Sequence, residues 1–250
     1  MVLLAAAAAR AQDDDLINAD RPGIADGSTT LQRGRAQFEG GIERDDSTAD
    51  GANDRSLFTP LLLRYGMTDA FELRMETAGY HHQLSAEQNR SGWTPVSIGF
   101  KAHLHEEDTK SHMPSLGVIA RLFVPSGSGD TRSERATGDM RLAADMTLSE
   151  RWSVNPNLGF SFDNTNADRF VDAFSLLAAA TLQCNFTPHL NAFVDGGMQV
   201  PASGHATALV DTGVAWIIGR NMQLDTTIGW GAHGSETPRV FWSAGVSQRF

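Results

Sequence analysis

The sequence contains no apolar run long enough to form a membrane-spanning helix. Its longest one, residues 2–9, falls well short of the roughly 18 residues that such a helix needs. Mean hydropathy is -0.26 and 41% of the residues are hydrophobic, values that exclude a helical membrane protein. A membrane β-barrel remains compatible with them, because it spreads its apolar residues along alternating strands.

Cysteine and positive charge are also scarce. The chain of 250 residues has one cysteine, Cys184, which excludes an intramolecular disulfide and a cysteine-based zinc cluster. The formal net charge is -10 and lysine is rare. Because no basic stripe is present to neutralise phosphates, nucleic acid is excluded as a partner. Without a disulfide, the fold has to be stabilised by hydrogen bonds between backbone groups of paired strands.

What the sequence does contain begins with the remains of an export signal. Residues 1–9 form an apolar run, and Ala9-Arg10-Ala11 has the small-x-small pattern of a signal-peptidase site before Gln12. We therefore expect a residual signal peptide over residues 1–11, cleaved to leave a mature chain that starts near Gln12. The positively charged start of a signal is missing, which points to a start codon further upstream. The alternative is a simple Ala-rich tail.

From Arg35 onward the sequence divides into segments of about ten residues in which apolar and polar residues alternate. In residues 136–148, Met140 and Leu142 lie on one face while Asp139 and Arg141 lie on the other. The predicted strands are residues 35–44, 56–65, 70–80, 94–104, 115–125, 136–148, 152–162, 170–184, 189–199, 206–217, 222–231 and 239–250. Alternation alone does not separate a soluble sandwich from a membrane barrel.

The links between these strands do separate the two. Short links, such as residues 66–69 and 149–151, alternate with longer polar ones, such as 45–55, 81–92, 126–135 and 163–169; residues 105–114 are the one long member of the short series. A bacterial barrel with both termini in the periplasm has short turns on that side and longer loops outside. The sequence therefore predicts an all-β fold: a closed antiparallel transmembrane β-barrel of about 12 strands over residues 35–250.

Aromatic residues support a membrane location. Most lie on the apolar face near predicted strand ends, where the lipid headgroups would be; they are Trp93, Trp152, Trp216, Trp230, Trp242, Tyr65 and Tyr80. The chain also finishes on an alternating strand with an aromatic end. Trp242, Val246 and Phe250 share the outward face, a pattern similar to the carboxyl-terminal assembly signal of outer-membrane barrels, although Gln248 departs from it.

The opposite face of the strands is charged. The predicted lumen residues are Glu39, Arg64, Glu72, Arg74, Glu76, Lys101, Arg121, Asp139, Arg141, Asp145, Asp195, Asp211 and Asp225. They could line a polar conduit that selects solutes, or form cross-strand ion pairs that fill the interior. Residues 12–34 precede the first strand without alternation. We expect this segment either to enter the lumen as a plug, with Arg21 seeking an inward carboxylate, or to remain in the periplasm.

Several motifs resemble one family. The sequence Ile17-Asn18-Ala19-Asp20-Arg21-Pro22-Gly23, the stretch of residues 34–41 and Gly66-Met67-Thr68-Asp69 are similar to those of outer-membrane transporters assigned to the phenol meta-cleavage degradation pathway. The resemblance spans most of the mature chain. It implies an outer-membrane channel for small solutes, aromatic or apolar, with outer-membrane lipid, lipopolysaccharide and the barrel assembly machinery as partners. It supplies no catalytic residue and no cofactor.

A phospholipase-like enzyme and a metal-binding protein are two alternatives to a channel. An outer-membrane phospholipase has a His and a Ser two residues apart, the spacing of His233-Gly234-Ser235, but no Asn follows on the next strand to orient the His. His103 and His105, with Glu106 and Glu107 beside them, could hold a metal, but a polar turn explains the cluster as well. We therefore expect neither catalysis nor a metal. A purely structural barrel with a plugged lumen is the third possibility.

Overall fold

The computed structural model describes residues 16–49, 52–85, 89–163, 173–234 and 237–250, so the predicted signal peptide lies outside it. In this part of the chain 15 β-strands form one sheet, with a short 3-10 turn at Gly129–Thr131. The strands are β1 Ala36–Ala49, β2 Ala52–Phe58, β3 Leu61–Thr68, β4 Phe71–Thr77, β5 Tyr80–Leu84, β6 Arg90–Trp93, β7 Ser97–His105, β8 Ser115–Phe123, β9 Thr137–Thr147, β10 Trp152–Phe162, β11 Phe174–Thr187, β12 Leu190–Pro201, β13 Thr207–Ile218, β14 Met222–His233 and β15 Val240–Arg249.

The sheet closes on itself. Twelve strands, β1, β3, β4 and β7 to β15, are paired in sequence with antiparallel neighbours, and β15 pairs with β1 from Gln37↔Arg249 to Asp46↔Val240. The backbone of Phe250 continues this contact by donating to Ala36 O at 2.8 Å. In the described part of the chain, each of these twelve strands therefore has a strand partner on both sides, as a membrane requires of a β-structure. The predicted closed barrel of 12 strands is confirmed.

Three further strands extend the wall beyond the barrel on the side away from Phe250. The lower part of β1 pairs with β3, and its upper part pairs with β2, which in turn pairs with β5 and β5 with β6. The strands are interrupted at Pro60, which has no N–H to donate, and at Gly79, whose φ is +78°. The predicted links at residues 45–55 and 81–92 were therefore wrong, since much of each pairs as strand and thereby satisfies its backbone hydrogen bonds.

Connections differ between the two ends of the barrel. At the periplasmic end, which holds Leu16 and Phe250, the intervals between strands are residues 69–70, 106–114, 148–151, 188–189 and 219–221. At the extracellular end they include residues 124–136 and 202–206. The predicted arrangement of short periplasmic turns and longer extracellular loops is confirmed, including the one long turn before β8.

The outer face of the wall is apolar. Ile98, Leu158 and Val194 are 60%, 57% and 57% exposed. Exposure of these apolar side chains to water would be unfavourable, whereas contact with lipid is not. The tryptophans and tyrosines are outward as predicted: Tyr65, Trp152 and Trp216 lie near the periplasmic end, and Tyr80, Trp93, Trp230 and Trp242 near the other. Such rings favour the headgroup zones of a bilayer. Within the described residues, no helix is both long enough and apolar enough to cross a membrane.

Candidate functional site in the barrel lumen

The interior of the barrel is charged rather than apolar. The structure places the predicted lumen residues on the inner face of the wall, where they are buried or half-buried: Glu39, Arg64, Glu72, Arg74, Glu76, Lys101, Arg121, Asp139, Arg141, Asp145, Asp195, Asp211 and Asp225. Their inward orientation follows from the period of two along each strand, since the apolar neighbours of each one face outward. The site they form is the lumen itself.

The segment of residues 16–34 enters this lumen, and its last residues, 32–34, are exposed at the periplasmic end, where Arg33 N donates to Asp69 Oδ1 at 2.9 Å. Several backbone N–H groups of the segment donate to carboxylates of the wall, and such charge-assisted hydrogen bonds are stronger than neutral ones. The donors Arg21, Ile24, Ser28 and Leu31 bond to Glu39, Asp195, Asp145 and Glu72 at 2.9, 2.9, 2.9 and 2.8 Å, respectively. The four acceptors belong to four different strands, β1, β12, β9 and β4. The segment is therefore held from opposite sides of the barrel.

Further hydrogen bonds at Asp26 and Ser28 also hold the segment to the wall. Asp26 N donates to Asn157 Oδ1 and Asn157 Nδ2 donates to Asp26 O, both at 2.9 Å. Ser28 Oγ lies 2.6 Å from Ser115 Oγ and 2.5 Å from Asp145 Oδ2. Sequence analysis did not single out Asn157, Ser28 or Ser115, because neutral polar residues on an inward face carry no signal that distinguishes a contact from simple hydration.

A cluster of cations surrounds the carboxylate of Asp20. Lys101 Nζ lies 2.8 and 3.0 Å from its two oxygens, Arg64 Nη1 lies 3.5 Å from Oδ2, and Arg74 Nη1 donates to the same oxygen. Burial by itself would raise the pKa of Asp20, but Arg64, Lys101 and Arg74 hold that pKa well below its usual value. Asp20 is thus an ionised carboxylate that neutralises part of the wall. The prediction named its neighbour Arg21 and missed Asp20.

The cations of this side also pair with carboxylates of the wall. Arg64 contacts Glu39 at 3.0 Å and Glu72 at 2.9 Å, and Arg121 joins Glu76 at 3.0 Å to Asp139 at 2.9 Å. Together with Arg74 and Arg141, these groups form a continuous network over β1, β3, β4, β8 and β9. Its charges balance one another, and Lys101 on β7 adds a positive charge to the same half of the lumen.

The other half of the lumen is acidic. Asp195 and Asp211 are directly opposite each other on β12 and β13, and the Oδ1 atom of each has no hydrogen-bond partner among the described residues. Asp225 lies nearby on β14 and forms an ion pair with Arg21, with 3.1 Å between Arg21 Nη2 and Asp225 Oδ1. Like charges opposite each other in a sheet are unfavourable. The adjacent residues Asp20 and Arg21 therefore each bring a charge to the half of the lumen that has the opposite one.

Open space remains on both sides of the segment. A cavity of about 730 Å³ at the periplasmic end is lined by Asp20 and Arg64 and by wall residues such as Phe193 and Ile217. A second cavity, of about 240 Å³, lies towards the extracellular ends of β10 to β13 and includes Ile24 in its lining. The segment thus lies between two cavities of the bore.

The remaining candidates are placed outside this site or at its margin. His103 Nδ1 lies 3.2 Å from Ser28 O, while a bulge in β7 leaves His105 exposed. In the part of the chain that the structure describes, no group of three or more His, Cys, Asp or Glu residues could hold a metal. His233 is the last residue of β14, and Ser235 lies outside the described residues.

Phe250 and Trp242 are on the outward face of the last strand, 67% and 39% exposed, with Val246 half-exposed between them. The three predicted assembly residues therefore form an apolar stripe along the outside of β15. This stripe is separate from the lumen, since their neighbours Ser243, Ser247 and Arg249 are the inward residues of the same strand.

Comparison with known proteins relates this architecture to one family. A family model described as "Putative MetA-pathway of phenol degradation" matches residues 19–250, whereas no curated protein sequence matches. Among solved structures, the chain is similar to an outer membrane channel from Pseudomonas putida F1, with 14% identity, a TM-score of 0.71 and coverage of 93% of this chain and 100% of that one. It is also similar to the KdgM porin in complex with disordered oligogalacturonate (10%, 0.56, 86% and 99%) and to the CymD monoaromatic hydrocarbon channel (9%, 0.50, 88% and 89%). At these identities the likeness concerns the fold.

Proposed function

The chain belongs to the family of the phenol-degradation MetA pathway, and we propose that it is an outer-membrane channel for small solutes, closed by residues 16–34 of its own chain. The barrel is of the kind found in the outer membrane of Gram-negative bacteria. A wall of 12 strands encloses a bore wider than that of the eight-stranded barrels, whose side chains fill the interior. Such a bore can hold either a solute or a segment of the chain.

The observation that carries the proposal is the way in which the segment is held. Its backbone N–H groups bond to carboxylates on four strands, and it lies between two cavities. Polar contacts of this kind can be exchanged for water when the segment moves. The wall left behind would be charged and wettable, as a conduit for solutes requires.

The solutes we propose are small and aromatic or weakly polar. The family description, which refers to phenol degradation, supports this class, as does the similarity in fold to a monoaromatic hydrocarbon channel. Phe193 and Ile217 in the periplasmic cavity offer apolar surface beside the charged groups. A ring with one polar substituent matches a surface of this mixed character.

Planar-bilayer recordings of two variants test the proposal. Deletion of residues 16–34 should raise single-channel conductance severalfold over that of the intact protein, because removing side chains from a narrow bore admits water and ions. Leu73→Ile, on the lipid face of β4, is the matched control and should conduct as the intact protein does. If the deletion variant is folded, as judged by faster migration on a gel before heating, and still conducts nothing, the charged interior is a structural core and the channel proposal is wrong.

A further inference from the structure

Lys101 is the cation of the lumen that depends most on the N-terminal segment. Its side chain is fully buried. Its hydrogen bonds and its ion pair in the described part of the chain are all with Asp20. Arg64 differs, since Glu39 and Glu72 of the wall pair with it as well. Glu72 lies directly opposite Lys101 on β4, but it is paired with Arg64 and Arg74. Departure of the segment would therefore remove the carboxylate that Lys101 contacts directly in the described part of the chain.

The contacts around Asp20 are those of a carboxylate-binding site. Lys101 reaches both oxygens, while Arg74 and Arg64 approach Oδ2 from β4 and β3. A buried charge without a partner is strongly unfavourable, so an emptied site favours the entry of another anion. The group that fits is a carboxylate, because the donors already enclose one.

The site also adjoins space for the rest of a solute. Asp20 and Arg64 line the cavity of about 730 Å³, and the wall of the same cavity includes Phe193 and Ile217. These two residues are 5% and 9% exposed, so each presents a small apolar area. An anion with an apolar body would find its carboxylate partners and an apolar surface in one continuous cavity.

We propose that Lys101, with Arg74 and Arg64, binds the carboxylate of a small solute with an apolar body once the segment has moved, and that Asp20 occupies this site in the closed channel. This inference rests on the proposed function, because it requires that residues 16–34 can leave the site. A tethered group acts at an effective concentration on the order of millimolar. Because the hydrogen bonds of Arg21, Ile24, Ser28 and Leu31 also hold the segment, a solute has to exceed that concentration to displace Asp20.

The test uses the full-length protein in detergent, with sodium benzoate as the probe and benzamide as its neutral counterpart. Asp20→Asn removes the competing carboxylate, so benzoate should raise the melting temperature of this variant more than that of the wild type, and benzamide should not. Adding Lys101→Met to the Asp20→Asn variant should weaken benzoate binding by roughly tenfold or more. Asp108→Asn, which removes a carboxylate of the turn between β7 and β8 and so leaves the lumen unchanged, is the control and should respond as the wild type does.

The proposal would be overturned if benzoate raised the melting temperature equally with and without Lys101, or if benzoate and benzamide raised it equally. Asp20 would then serve only to hold the segment in the lumen. If Asp20→Asn does not assemble, the variant lacking residues 16–34 gives the same comparison, with Lys101 present or replaced by Met. The melting measurement does not depend on conductance. A deletion variant that conducts but does not bind benzoate through Lys101 contradicts this inference only, and one that binds benzoate but does not conduct contradicts the channel proposal only.

Discussion

Lys101 Nζ donates to both carboxylate oxygens of Asp20, at 2.8 and 3.0 Å, across a separation of 81 residues in sequence. The contact joins the wall of the barrel at β7 to the segment inside it. Both groups are buried, with 0% and 9% of their side chains exposed. The pair is therefore screened little by salt, and its loss should affect how firmly the segment is held.

Lys101→Met should loosen the segment. Removing one partner of a buried ion pair typically costs about 3–5 kcal/mol, and Arg64 and Arg74 remain to recover part of that cost for Asp20. We expect more frequent channel openings in bilayer recordings and faster proteolysis of residues 16–34. Lys110, which lies in the turn between β7 and β8, provides the control: Lys110→Met should change neither measurement.

The stabilisation supplied by Asp20 should persist to low pH. Burial opposes ionisation of this carboxyl, but Arg64, Lys101 and Arg74 hold its pKa well below the usual 3.8. A pKa that is lower in the folded state stabilises that state above the unfolded value, and the stabilisation disappears as pH falls through the folded value. The difference in melting temperature between wild type and Asp20→Asn should therefore be constant from neutral pH down to about 5 and shrink only below 3.8. A difference that fades between pH 7 and pH 5 would contradict this assignment.

Two inward carboxylates should respond oppositely to neutralisation. Glu72 accepts from Arg64 Nε at 2.9 Å and from Leu31 N at 2.8 Å, so Glu72→Gln should destabilise the protein by about 3 kcal/mol or more. Asp211 instead faces Asp195 across the strand pair. Asp211→Asn should leave stability unchanged or raise it by about 0.2–1 kcal/mol, the range of a cross-strand pair. Urea unfolding in detergent measures both, and equal losses would show that the two halves of the lumen do not differ as described.

Phe250 should matter for assembly more than for the finished fold. Its ring is 67% exposed and makes little contact with the wall, whereas its backbone N–H completes the contact with Ala36. Phe250→Ser keeps that backbone group and should still lower the amount of protein in the outer membrane, as measured by immunoblot. Phe186→Ser, which changes a 58% exposed ring at the same end of the barrel, is the control. Equal levels of the two variants would show that the terminal ring is not recognised.

Sequence alone was sufficient for the wall because each strand carries its own information. Alternation along a single strand predicts that Met140 faces outward and Arg141 inward. The length of each link predicts at which end of the barrel it lies. The sequence did not predict the strands that extend the wall beyond the barrel. Alternation is weak in residues 45–55, and only the pairing of β1 with β2 makes residues 45–49 and 52–55 strand.

Sequence alone therefore determined which residues face the lumen, whereas the tertiary structure decided which of them meet. Asp20 precedes the first strand and has no periodic neighbours, so nothing local distinguishes it from Asp26. The registers of two neighbouring strand pairs, Arg64↔Arg74 and Glu72↔Lys101, bring the three cations to one height. Asp20 meets them only through the path of the segment across the bore, which requires a closed wall around it.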